Sequence, residues 1–204
     1  MFNPGIVKNI SLNTLSDLDA GSWYDESFTT ERIPLFSDVV EYCRSKSIWM
    51  NIELKGGEHG ENGPEGEVLY EKHMYHIGET VATLTASLFA EDLKQNPIDF
   101  SKVPLFSSFS ISALIAAKTV SPQIPRALLV HKKADVPNLM EVLLNIGATA
   151  VHLNHVDIEE YDLVAIKAAG LKIMCYTVNS PDRANALREL GIDAVCTDSF
   201  DVSI

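Results

Sequence analysis

Ile48-Trp49-Met50-Asn51-Ile52-Glu53-Leu54-Lys55 is the stretch from which the rest of the chain is read. It reads as a β-strand. Alternate side chains of a strand share a face, so Asn51, Glu53 and Lys55 point one way and Met50, Ile52 and Leu54 the other. A strand buried on both faces is almost continuously apolar. Here three polar residues break that rule toward the C-terminal end. In α/β barrels that end carries the active site. A carboxylate and an ammonium group two residues apart suit a hard divalent cation and an anionic oxygen. A structural Glu–Lys pair filling a barrel interior explains the same pattern, and the residues alone leave both readings open.

Downstream, short β-rich runs alternate with longer helical ones. A Gly/Glu-rich loop (56–66) leads to a helical run over 67–92. Strand-like runs then cover 103–109, 126–130, 150–153, 171–178 and 194–197. Helical runs follow the first four of these, at 111–119, 136–146, 158–169 and 181–190. Ser180-Pro181-Asp182 offers an N-cap followed by Pro at the first helical position. Gly170 and Gly191 stand where left-handed C-caps belong. Upstream, residues 1–32 are polar and turn-rich, and 34–43 read as a short helix.

Strands alternating with helices imply parallel pairing through right-handed crossovers. Six such units fit a doubly wound sheet or most of a (β/α)₈ barrel. Barrels use about 250 residues, roughly 30 per unit. Six units and the opening segment account for all 204 residues, so an eight-fold barrel leaves two units to find.

The net charge of −12 argues against nucleic acid and anionic lipid as partners. No apolar run reaches the roughly 20 residues of a membrane span. Three cysteines, Cys43, Cys175 and Cys196, form no CxxC. They read as buried free thiols of a reducing cytoplasm.

Polar clusters recur at the strand ends: Ser107-Ser108-Phe109, His152 with Asn154, Tyr176 to Asn179, and Thr197-Asp198. Corresponding positions suggest one shared rim. Other features carry less. His73 and His76, with His59 nearby, read as a solvated helix face and loop. Glu58, Glu61, Glu65 and Glu67 read as a hydrated loop. Gly56-Gly57 lacks the spacing of a nucleotide fingerprint, and no G-x-S-x-G is present.

Together these segments resemble the bacterial cytoplasmic glycerophosphodiester phosphodiesterases. The resemblance rests on Leu18-Asp19-Ala20-Gly21-Ser22-Trp23-Tyr24, Ile33-Pro34-Leu35 and Asn51-Ile52-Glu53-Leu54-Lys55. It continues through His152-Leu153-Asn154-His155, Tyr176-Thr177-Val178-Asn179 and Cys196-Thr197-Asp198, and spans about residues 15–201. It implies a TIM-type (β/α)₈ barrel, and hydrolysis of glycerophosphodiesters to sn-glycerol 3-phosphate and an alcohol. It implies a divalent cation, Mg²⁺ or Ca²⁺, with Glu53 as a ligand. It implies Lys55 on the phosphate, and Phe109 and Tyr176 shaping the substrate pocket.

The family opens with a His-Arg-Gly strand, a Glu/Asp strand and a His-Asp pair, and these are not found before Leu15. The expectation is therefore one domain over 1–204 holding barrel strands 3–8, with 1–32 a remnant of the family insertion. None of the acid/base histidine pair is retained in it, and the cation is held weakly. Three readings follow: a family hydrolase on a shortened chain, a non-catalytic relic or binding protein keeping a half-site, or one part of a complemented barrel. The open edges at the first and last strands of such a barrel would invite self-association.

Overall fold

A computed structural model describes residues 10–56 and 63–199, with 63–65 described by backbone alone. The calls on Glu58, His59, Glu61 and the Glu65 side chain lie outside these residues. The chain forms two compact units, Met1–Ile48 and Trp49–Ile204.

The first unit is turn-rich, as its composition implies. Helix α1, Leu12–Ser16, is capped by Ser11, and α2 covers Phe36–Ser45. The α2 start falls two residues later than the sequence suggests, because Leu35 stays extended at the N-cap. Between them Asp19 accepts the amides of Gly21 (2.9 Å) and Ser22 (2.8 Å). Hydrogen bonding from Ser22, then from Gly21, holds that carboxyl down at about 2.

The second unit is a parallel sheet of six strands in sequential order. Strands are β1 (Asn51–Glu53), β2 (Leu105–Ser108), β3 (Arg126–Val130), β4 (Ala150–Asn154), β5 (Lys172–Tyr176) and β6 (Ala194–Val195). Its long helices are α3 (Gly63–Leu88), α5 (Ile111–Val120), α6 (Leu139–Ile146), α7 (Leu163–Ala168) and α8 (Pro181–Glu189), with a short α4 (Ala90–Leu93). Six strands with helical crossovers match the sequence reading, although β1 and β6 are shorter than their apolar runs. The run at 158–169 is broken. A 3₁₀ segment, His155–Glu160, precedes α7, because the Asp162 side chain accepts Ala165 N–H and starts a new helix. Helix α6 begins at Leu139 rather than 136, after the turn containing Pro137.

The cap predictions hold. Ser180 Oγ accepts Arg183 N–H ahead of Pro181. Gly170 and Gly191 are left-handed, with φ of 78° and 82°.

The sheet has two distinct faces. Ile52, Leu54, Phe106, Leu128, Leu153 and Ile173 belong to the main core with the helices. There Gly78 of α3 lies so close to α5 that a Cβ would sit 2.2 Å from the Ala113 carbonyl oxygen. The opposite face carries a smaller buried cluster, Leu105, Ala127 and Ala150. The two faces interleave residue by residue along each strand, as the pleat requires.

Arg126 anchors the N-terminal end of β3. Its guanidinium is buried and donates to the carbonyls of Ile124 (2.7 Å), Ile146 (3.0 Å) and Gly147 (3.2 Å). These include orphan carbonyls at the end of α6, which need donors. No helix among the described residues is long and apolar enough to cross a membrane.

Candidate functional site

The strand register sets the site. Asn51 pairs with Leu105, and Glu53 with Ser107. His152 pairs with Met174, and Asn154 with Tyr176. Alternation then puts Asn51, Glu53, Leu105, Ser107, Ala127, Ala150, His152, Asn154, Met174 and Tyr176 on the inner face. Lys55 continues the Glu53 face beyond β1, while Leu54 between them is buried in the core. Glu53 and Lys55 are both exposed. Among the described residues they form no ion pair with each other.

The sheet curls strongly. Phe109 follows β2 and Tyr176 ends β5, three strand positions apart, which is about 14 Å in a flat sheet. Their rings nevertheless meet edge to face, with centroids 6.1 Å apart. Such pairs are favoured by the ring quadrupoles. Tyr176 is also fixed at its far end, where its hydroxyl donates to the Val130 carbonyl at 2.9 Å. Burial pushes the Tyr176 hydroxyl pKa up, and the nearby Tyr161, Asp135, Glu53 and Cys175 push it further. Glu53 also helps raise the Cys196 thiol, after partial burial and Asp198. The curl therefore brings β1, β2, β5 and β6 toward one mouth at their C-terminal ends.

Three of the four expected site residues thus share this mouth by contact or charge: Glu53, Phe109 and Tyr176. Lys55 lies on the same face, with no ion pair among the described residues.

The remaining rim residues divide by role. Ser108 Oγ donates to the Leu54 carbonyl (2.7 Å) and accepts Ser110 N–H (3.0 Å), so it ties β2 to β1. Asn179 accepts Asp198 N–H (2.8 Å) and donates to its carboxylate (3.1 Å), tying the β5 and β6 ends together. His131, just past β3, was not singled out by the sequence pattern. Its Nδ1 lies 3.5 Å from Asn154 Nδ2. The signal was available, since His131 stands two residues beyond Leu129 on the inner face. His73 and His76 are exposed on α3, where His76 pairs with Glu79 at 3.7 Å. Cys175 is buried, as its run implies, but Cys196 is exposed because it lies beyond the short β6.

Among the described residues no group of three His, Cys, Asp or Glu could hold a metal ion. Hard cations take six or more oxygen ligands, so Glu53 alone does not make such a site.

Residues 3–202 match the Glycerophosphoryl diester phosphodiesterase family. YhdW of Bacillus subtilis (strain 168) is 29% identical over 204 residues, 98% of this chain and 72% of its own length. A glycerophosphodiester phosphodiesterase of Caldanaerobacter subterraneus subsp. tengcongensis is 25% identical over 194 residues, 95% of this chain and 70% of its own. Among solved structures, an Oleispira antarctica phosphodiesterase in complex with the product sn-glycerol-3-phosphate superposes with a TM-score of 0.71. It is 27% identical, covering 95% of this chain and 69% of that one. With nearly the whole sequence matched and the curled parallel sheet shared, the chain belongs to the glycerophosphoryl diester phosphodiesterase family of enzymes.

Proposed function

We propose that this chain acts on glycerophosphodiesters at the C-terminal rim of its sheet, releasing sn-glycerol 3-phosphate and an alcohol. The observation that carries the proposal is the Phe109–Tyr176 contact. It sets an apolar wall beside Glu53 on the inner face, with Lys55 next along that face. The product complex of the Oleispira antarctica relative supports a glycerophosphate ligand for this kind of rim.

In this reading Lys55 neutralises a phosphate oxygen. Its flexible stem lets the ammonium follow that oxygen as charge grows on it. The wall of Phe109 and Tyr176 holds the glycerol carbons and excludes water from one side. Tyr176 is a stiff part of that wall, because its hydroxyl is committed to Val130. Glu53 supplies one carboxylate toward a divalent cation, Mg²⁺ or Ca²⁺. Since the described residues offer no further ligands around it, no step is assigned to the cation. Residues 1–32 stand as a remnant of the family insertion, and the protein works in the cytoplasm.

A binding role without turnover is the second reading. The lone Glu53 favours it, since cation-assisted cleavage needs a fuller ligand set. One experiment separates the two. The purified chain is incubated with glycerophosphocholine and Mg²⁺ or Ca²⁺, and ³¹P NMR follows sn-glycerol 3-phosphate. Cation-dependent release that Glu53→Ala abolishes establishes hydrolysis. Binding of sn-glycerol 3-phosphate with no release establishes the second reading. Absence of both release and binding contradicts the proposal.

A further inference from the structure

One row of the rim holds a polar pair, His131 and Asn154, beside the aromatic wall. The β3–β4 register sets Leu129 opposite His152 and Val130 opposite Leu153, so the next step brings His131 level with Asn154. Asn154 pairs in turn with Tyr176. His131, Asn154 and Tyr176 therefore form one row, just beyond β3 and at the ends of β4 and β5. All three belong to the inner face by alternation.

His131 is held from two sides. The Tyr176 hydroxyl donates to the Val130 carbonyl at 2.9 Å, and that carbonyl belongs to the peptide leading into His131. The Asn154 side chain reaches the ring itself, with Nδ2 3.5 Å from His131 Nδ1. A separate bond sets which way the Asn154 amide points. Its Oδ1 accepts Val156 N–H at 3.1 Å, and a backbone N–H can only donate. Nδ2 is therefore the end that faces the histidine. An amide NH₂ also only donates, so His131 Nδ1 accepts, and the neutral ring carries its proton on Nε2.

That Nε2–H is a donor in waiting. Among the described residues the ring makes no second hydrogen bond, and His131 is exposed. The two ring nitrogens point well apart. With Nδ1 turned to Asn154 on β4, Nε2–H faces away from β4, and Phe109 follows the strand on the other side of β3. The Tyr176 ring reaches from β5 to the end of β3 and also meets Phe109, so the donor adjoins the aromatic wall. Its height matters too. Ser107 pairs with Ala127, which sets Phe109 level with Leu129, two residues inside His131. Two residues are about 7 Å along a strand, the scale of a three-carbon chain.

We propose that His131 Nε2–H donates to a hydroxyl of the ligand's glycerol moiety, and so selects glycerol phosphate esters over phosphate esters of plain alkyl alcohols. Asn154 is its positioning residue, because it fixes the tautomer and the ring. The inference rests on the glycerophosphate reading of the rim, in which Lys55 holds the phosphate and the wall of Phe109 and Tyr176 holds the glycerol carbons. A neutral donor one row outside that wall suits an uncharged oxygen carried on those carbons. A donor held in place discriminates against an analogue lacking the hydroxyl, since the analogue displaces its water and returns no bond.

The test titrates sn-glycerol 3-phosphate and n-propyl phosphate into the chain and follows each by ³¹P NMR. The second ester keeps the three carbons and the phosphate but has no hydroxyl. The wild type should prefer the glycerol ester about tenfold. His131→Phe keeps a flat ring without the donor. It should bind both esters alike, with its affinity for n-propyl phosphate unchanged. Asn154→Ser keeps an oxygen for Val156 N–H but removes Nδ2, and should lower the preference about threefold by freeing the ring. A second readout responds only to the contact itself. In ¹⁵N NMR of the imidazoles, the signal lost in His131→Phe should carry its proton on Nε2. It should shift with sn-glycerol 3-phosphate and stay in place with n-propyl phosphate. If a variant unfolds, the wild-type titrations and this signal decide alone. Equal preference in wild type and His131→Phe overturns the proposal and leaves the glycerophosphate reading standing. So does a proton found on Nδ1, or a preference untouched in Asn154→Ser. A chain that binds neither ester overturns both.

Discussion

Phe109 and Tyr176 come from strands three places apart, yet their rings meet edge to face at 6.1 Å. The contact exists because the sheet curls. It converts two ordinary aromatic residues into one wall of a rim. Tyr176 also reaches over the neighbouring strand to the Val130 carbonyl. Removing that donor in Tyr176→Phe leaves a carbonyl unmet and should cost about 1 kcal/mol of stability. Urea unfolding measures it. A variant as stable as the wild type would mean the hydroxyl does not fix the ring.

His152 predicts a pH dependence. Burial lowers its pKa from the ordinary 6.5 to about 4. The unfolded chain therefore binds a proton more readily than the folded one between these values. Stability rises with pH across that window, and falls as pH drops from 6.5 toward 4. The contribution is about 1.4 kcal/mol per pH unit, on the order of 3 kcal/mol in all. His152→Met removes the titration. Its urea midpoint should fall less than the wild type's between pH 6.5 and 4, and parallel curves would contradict the assignment.

Gly78 predicts a sign that helix propensity gets wrong. Alanine is worth about 1 kcal/mol more than glycine in an exposed helix. Here its Cβ would lie 2.2 Å from the Ala113 carbonyl oxygen. Gly78→Ala should therefore destabilise by about 1–3 kcal/mol, the cost of overpacking. Thermal unfolding decides it, and a raised midpoint would show that α3 and α5 can part at no cost.

Arg126 is a capping residue disguised as a strand residue. It donates to several carbonyls around the ends of α5 and α6 from a buried position. Arg126→Met should lose about 2–4 kcal/mol by leaving these acceptors unpaired. Arg126→Lys should recover less than half, because an ammonium cannot reproduce the planar fork. Full recovery by lysine in chemical denaturation would contradict that geometry.

Much of the fold was legible because its signals are local. The β3 run at 126–130 coincides with the observed strand, since Ala127 to Val130 is an unbroken apolar stretch. Ser180, Gly170 and Gly191 declared their caps through chemistry that only those residue types supply well. Boundaries failed where tertiary or competing local bonds intervened. Asp162 restarted a helix that periodicity read as continuous, and β1 ended at Glu53 although the alternation runs on to Lys55. At the site, Glu53, Phe109 and Tyr176 could be named from strand-end position and resemblance. Their mutual approach could not, because curl is a property of the whole sheet. Ser108 looked like a rim residue and is a structural tie to Leu54. The capping role of Arg126 was invisible because two of its acceptors, Ile146 and Gly147, belong to the next helix end, and nothing in the sequence marks His152 Nδ1 as lacking a partner among the described residues.

The central claim is that the rim of Lys55, Phe109 and Tyr176 holds a glycerophosphate group. Titration of sn-glycerol 3-phosphate into the chain, followed by ³¹P NMR chemical shift, tests it most directly. Saturable binding is expected, weakened about tenfold or more in Lys55→Ala through loss of the charge-assisted contact, and weakened also in Phe109→Ala. No saturable shift, or equal affinity in wild type and Lys55→Ala, would contradict it.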